Sequence, residues 1–127
     1  MQVNVEYELG SAYPNLELRN LVVSIPVAGD SVPSITPSHG NAAFSKRDAS
    51  LIWEVPIIDA SSASGTVEFN VSGMASSDGL FPIQCTFTAM STLCDLRIST
   101  VRSAEEGGGA LPFTASASLG VESYNIA

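Results

Sequence analysis

An all-β, antiparallel sandwich of immunoglobulin-like build is the fold this sequence predicts, and three observations predict it. The dominant hydrophobic period is two, which places alternate residues on opposite faces of a strand. The apolar runs are short and rich in Val, Ile, Phe and Tyr, the residues that suit a pleated, half-buried surface. Glycine, proline, serine and asparagine punctuate the intervals between them. No window keeps the i, i+3, i+4 spacing of an amphipathic helix.

Taken in chain order, VNVEYEL puts Val3, Val5, Tyr7 and Leu9 on one face and Asn4, Glu6 and Glu8 on the other. Gly10 to Pro14 is a turn. NLELRNLVVSIPV reads as a longer strand in which the apolar residues become continuous after Asn20, so a bulge is expected there. Gly29 to Gly40, with Pro33, Pro37 and several serines, reads as a long loop, and Lys46-Arg47-Asp48 as a turn. LIWEV places Leu51, Trp53 and Val55 on one face, with Glu54 outward, so Trp53 is expected to be a buried anchor. Pro56 cannot donate to a ladder and should sit at an edge or a bulge. Asp59 to Ser64 and Ser72 to Gly79 are short polar connections around GTVEFNV. FPIQCTFTA, CDLRISTV, LPFTASASL and VESYNI complete about eight expected strands. SAEEGGG, Ser103 to Gly109, is the loosest stretch of the chain.

The 127 residues suffice for one independent core. No apolar run reaches the roughly 18–20 residues of a membrane-spanning helix, and the acidic first ten residues lack the layout of a secretory leader. Net charge is −8, from 13 acids against five bases, Arg19, Lys46, Arg47, Arg97 and Arg102. Five scattered cations argue against nucleic acid and against direct docking on an anionic membrane. Cys85 and Cys94 read as two buried thiols of a cytosolic protein. A hairpin disulfide in a secreted immunoglobulin-like binding domain is the alternative.

Catalysis finds little support. The single histidine, His39, lies in a PSHG loop, and no serine occupies a G-x-S-x-G elbow. Two cysteines and one histidine match no zinc spacing. Glu105-Glu106 beside GGG reads as a solvated loop, and that glycine run lacks the strand and helix of a phosphate cradle. The expectation is a non-enzyme without cofactor or metal.

The ordered series NLELRNLVVSIPV, SKRDASLIWEVPIIDASSASGTVEFNVSG, LFPIQCTFTAMSTLCDLRISTV and LPFTASASLGVESYNIA resembles the C-terminal half of a mu-homology domain. That domain is shared by clathrin-adaptor medium chains and coatomer delta subunits. WEVPIIDA followed by SGTVEF, FPIQCTF and the terminal VESYNIA resemble the coatomer delta branch. The resemblance covers Val3 to Ala127.

It implies a fold of two β-sandwich subdomains, one inserted in the other. Residues 1–90 would form the inserted one, and 91–127 the last strands of the outer one. It implies a cytoplasmic, non-enzymatic coat subunit, peripheral on Golgi membranes and vesicles, serving Golgi-to-ER and intra-Golgi transport. Its partners would be other coatomer subunits, and tethering or coat-regulating proteins carrying tryptophan-containing acidic peptides. Membrane association would be indirect, through the coat. An adaptor medium chain or an endocytic relative is the alternative within the family. Adaptor medium chains hold tyrosine signals on a strand with an aromatic, an aliphatic and an arginine after Leu-Pro. Here Leu111-Pro112 is followed by Phe113, Thr114 and Ala115, so the arginine is missing and tyrosine-signal binding is not expected. For an acidic aromatic peptide, Arg97, Arg102 and Phe113 are the residues expected to border a groove, with solvated arginines and a core Phe113 as the alternative.

Overall fold

The computed structural model describes residues 1–92 and 96–127. The chain is an all-β antiparallel sandwich. Its strands are β1 (Gln2–Glu8), β2 (Leu18–Pro26), β3 (Ser31–Pro37), β4 (Asn41–Ser45), β5 (Ser50–Ile58), β6 (Ser64–Ser72), β7 (Ile83–Ala89), β8 (Val101–Arg102), β9 (Ala110–Leu111) and β10 (Leu119–Ile126). One sheet has three strands in the order β1-β6-β3. The other has five, in the order β10-β7-β2-β5-β4. β8 and β9 form a separate two-stranded ribbon.

The two large sheets bury one apolar core between them. Ile25, Leu51, Trp53, Val55, Val67 and Phe69 are its most enclosed members. Trp53 is 0% exposed, as its parity requires. Its indole nitrogen donates to the His39 carbonyl at 2.9 Å, which satisfies the one polar atom it brings inside. Tyr7 packs on it from the opposite sheet, with ring centroids 5.6 Å apart.

Asn20 marks the expected bulge. It has φ 53°, and the β2–β7 register shifts between Arg19 and Val22. Pro56 lies where both neighbours relax. Arg19 pairs with Ile57 and Leu21 with Val55, which sets Asn20 opposite Pro56 without a ladder pair between them. On the other side, β4 ends at the Asn41–Glu54 pair, so no ladder there needs the missing N–H.

Several elements depart from the sequence reading. The stretch from Gly29 to Gly40 is not a loop but contains β3. Val32 and Ile35 pack on the core, and Pro33 falls at a register shift between Ser31 and Ser34 on an edge strand. A proline at an edge bulge costs no ladder bond, which is why the punctuation misleads. NAAFS forms β4, also unanticipated, because Ala42 and Phe44 are too weak an alternation to stand out. Conversely, among the described residues of the CDLRISTV and LPFTASASL stretches, Leu96 onward, there is little strand beyond Val101 and Leu111. Residues 96–100 and 111–118 are exposed. Apolar alternation there meets no opposing sheet to bury it.

The C-terminal strand does find a partner. β10 pairs antiparallel with β7 from Leu119–Ala89 to Ile126–Ile83, with an irregularity between Val121 and Tyr124. It therefore forms one edge of the five-stranded sheet.

Tight connections position these strands. Gly40 (φ +73°) turns the chain from one sheet to the other, and a Cβ there would lie 2.0 Å from the Glu54 carbonyl oxygen. Only glycine fits such an approach. Asp59 caps a 3-10 turn, Ala60–Ser62, accepting from the Ser61 and Ser62 amides, while the Ser62 hydroxyl accepts from the Asp59 amide.

Candidate peptide-binding site

The residues singled out for peptide binding all lie in the C-terminal third, around the β8–β9 ribbon. Val101 pairs with Leu111 and Arg102 with Ala110. SAEEGGG closes this ribbon as a hairpin loop. The Ser103 amide donates to the Gly109 carbonyl at 3.2 Å, and the Gly108 amide to the Glu105 carbonyl at 2.8 Å. Glu105 and Glu106 are exposed on it, as a solvated loop requires.

Arg97 lies on an open groove of about 490 Å³. One wall is Leu96, Arg97 and Ile98, and the other is Ala115, Ser116 and Ala117, with Thr92 at one end. Leu96 is 70% exposed and Ile98 58%. The groove thus offers apolar surface beside a guanidinium, the combination an aromatic acidic side chain needs. Ala115, the position of the missing adaptor arginine, forms the wall facing Arg97. Arg102 and Phe113 do not line this groove. Arg102 is exposed at the end of β8, and Phe113, 41% exposed, follows β9. Phe113 is therefore not a core residue. The expected triad is divided, with Arg97 at the groove and the other two on the ribbon. Leu96 and Ile98, read only as part of the expected CDLRISTV strand, line the groove beside Arg97.

The other polar candidates have structural roles. His39 Nε2 lies 2.8 Å from the Ser64 carbonyl oxygen, and its ring meets Tyr7 edge-on at 6.2 Å. It ties the β3–β4 connection to β6. Lys46 and Arg47 are exposed in the β4–β5 turn, which the Ser45 hydroxyl closes by donating to Asp48 at 2.7 Å. Cys85 is a half-buried free thiol, and burial pushes its pKa up, away from the reactive thiolate. Cys94, and with it the alternative Cys85–Cys94 bridge, lies outside the described residues. Among the described residues no three His, Cys, Asp or Glu side chains converge on a possible metal position. Among the described residues no helix is long and apolar enough to cross a membrane.

Comparison with known proteins identifies the lineage of this arrangement. The adaptor complexes medium subunit family matches residues 1–126. The chain belongs to that family. Coatomer subunit delta of Dictyostelium discoideum is 32% identical over 124 residues, 98% of this chain and 22% of the relative. Coatomer subunit delta of Arabidopsis thaliana is 33% identical over 126 residues, 98% of this chain and 23% of the relative. Coatomer subunit delta-2 of Oryza sativa is 36% identical over 106 residues, 83% of this chain and 20% of the relative. The chain thus spans between a fifth and a quarter of these relatives.

Proposed function

We propose that this chain is part of a vesicle-coat subunit of the coatomer delta type and acts there as a non-enzymatic protein–protein interaction module. The observation that carries the reading is the similarity to coatomer delta subunits over nearly the whole chain, within a family match to residues 1–126. The absent adaptor arginine at Ala115 supports the coatomer branch over the tyrosine-signal readers. In this reading the protein works in the cytoplasm on Golgi membranes and vesicles, in Golgi-to-ER and intra-Golgi transport. Its partners are other coatomer subunits. Residues 1–90 are the inserted subdomain and 91–127 the closing strands of the outer one, with β10 continuing the inserted sheet.

Affinity capture from cytosol tests the coat assignment. Recovery of coatomer subunits is expected, and recovery of clathrin-adaptor subunits in their place would overturn it. For the finer role, a tryptophan-containing acidic peptide is expected to bind the groove beside Arg97, with Arg102 and Phe113 extending the surface along the ribbon. Arg97→Glu with Phe113→Ser should then abolish binding while thermal unfolding is retained. Unchanged affinity in that folded variant would sink the peptide role and leave the coat role standing.

A further inference from the structure

A second surface lies on the open side of the sandwich, lined by none of the ribbon's residues. The three-stranded sheet is too narrow to cover the five-stranded one. Its strand β3 contacts β4 at one end, so its other edge, β1, stops over β2. Beyond β1 the inner faces of β7 and β10 are only partly covered: Ile83 and Ala89 are buried, but Cys85 and Phe87 are half-buried. The result is an apolar groove of about 210 Å³ with Val5 and Tyr7 of β1 on one side and Cys85, Phe87, Tyr124 and Ile126 on the other. Tyr124 and Ile126 are 59% and 43% exposed.

Among the described residues β1 pairs only with β6 and is an edge strand, and its hydrogen-bonding groups can be assigned. Met1 and Val71 exchange backbone bonds at 2.8 Å, and the Leu9 amide donates to the Ala63 carbonyl at 2.6 Å. The register between these ends is unbroken. The odd residues of β1 therefore bond to β6, and the N–H and C=O groups of Gln2, Asn4, Glu6 and Glu8 point toward the open side. A strand added there would lie about 4.8 Å from β1, directly over β7 and β10.

Charge selects the occupant. Glu6 and Glu8 are exposed on the outer face and also border the groove. Across the ladder they meet Thr66 and Ser64 and not cations. The bases lie elsewhere: Arg19 pairs with Glu17, Lys46 and Arg47 are in the β4–β5 turn, and Arg97 and Arg102 are in the C-terminal third. A second copy would bring another −8 charge to this edge and is disfavoured. We propose that the free edge of β1 takes an extended peptide strand whose inward side chains are apolar and whose outward side chains are lysine or arginine, closing the sandwich over β7 and β10. Outward lysines would sit beside Glu6 and Glu8 as opposite-charge cross-strand pairs. This surface is independent of the coat reading and of the Arg97 groove.

The probes are two synthetic decapeptides, one alternating valine with lysine and one alternating valine with glutamate. Binding is read by isothermal titration and by amide hydrogen exchange of the whole chain. The lysine peptide should bind and slow exchange at Gln2, Asn4, Glu6 and Glu8. Glu6→Lys with Glu8→Lys should weaken it at least tenfold and let the glutamate peptide bind. Glu6→Pro, which removes an edge N–H that β6 does not use, should abolish strand addition; the charge-reversed variant serves if the proline variant fails to fold. Equal affinity for both peptides, or binding without protection of those four amides, would overturn the proposal. So would concentration-dependent protection of the same amides without peptide, since the occupant would then be a second copy.

Discussion

Over β5, the inner face of the large sheet is closed: Leu51 and Trp53 are 0% exposed and Val55 2%. Over β10, on the same face, Tyr124 and Ile126 are 59% and 43% exposed. Both regions are apolar and both are strands. They differ in what lies opposite. β5 faces a sheet of three strands, and β10 faces none of them. Apolar side chains on one face thus give core only where an opposing layer removes them from water, and stay exposed where it does not.

The strongest way to break this comparison is to cut into its closed half. Trp53→Ala should destabilise the fold by about 3–5 kcal/mol, since it removes a fully enclosed ring and leaves a cavity. Urea unfolding at equilibrium measures it, and a loss below about 1 kcal/mol would show that the ring is not the anchor described. The same treatment of the open half should do far less. Tyr124→Ser and Ile126→Ser should each cost about 0.5 kcal/mol, as surface substitutions do. A loss approaching that of Trp53→Ala would mean that another layer covers β10 in solution. The smallest expected effect lies outside both halves. The hydrogen bonds from Ser61 and Ser62 hold the Asp59 carboxyl below the usual carboxylate range. With its folded pKa depressed, Asp59 stabilises the protein above the unfolded carboxylate pKa, and that contribution is lost as pH falls through the folded value. Asp59→Asn should therefore lower Tm slightly near neutral pH and converge with the parent in acid, as a Tm–pH series will record.

Much of the closed half was legible in the residues. Leu51, Trp53 and Val55 alternate with outward Glu54, and the change of apolar pattern at Asn20 announced the bulge. β3 was hidden because Pro33 and Pro37 imitate loop punctuation, and only the position of β3 at an edge makes them tolerable. The residues expected to border a peptide groove could be named from the sequence by type and not by place. Arg97 reaches a groove with Ala115, but Arg102 and Phe113 stand apart from it, because the ribbon sets their positions and parity does not.

What the sequence by itself determined is local: which face of each strand is apolar, and that Trp53 points inward. Side-chain alternation is a property of neighbouring residues and can be read along the chain. What only the tertiary structure decided is which strands meet: β3 with β6, β10 with β7, and three strands against five. Those pairings join residues far apart in sequence. They leave β1 at an edge of its sheet and Tyr124 and Ile126 exposed on β10, so which apolar side chains stay in water was fixed by the packing of whole sheets and not by any one segment.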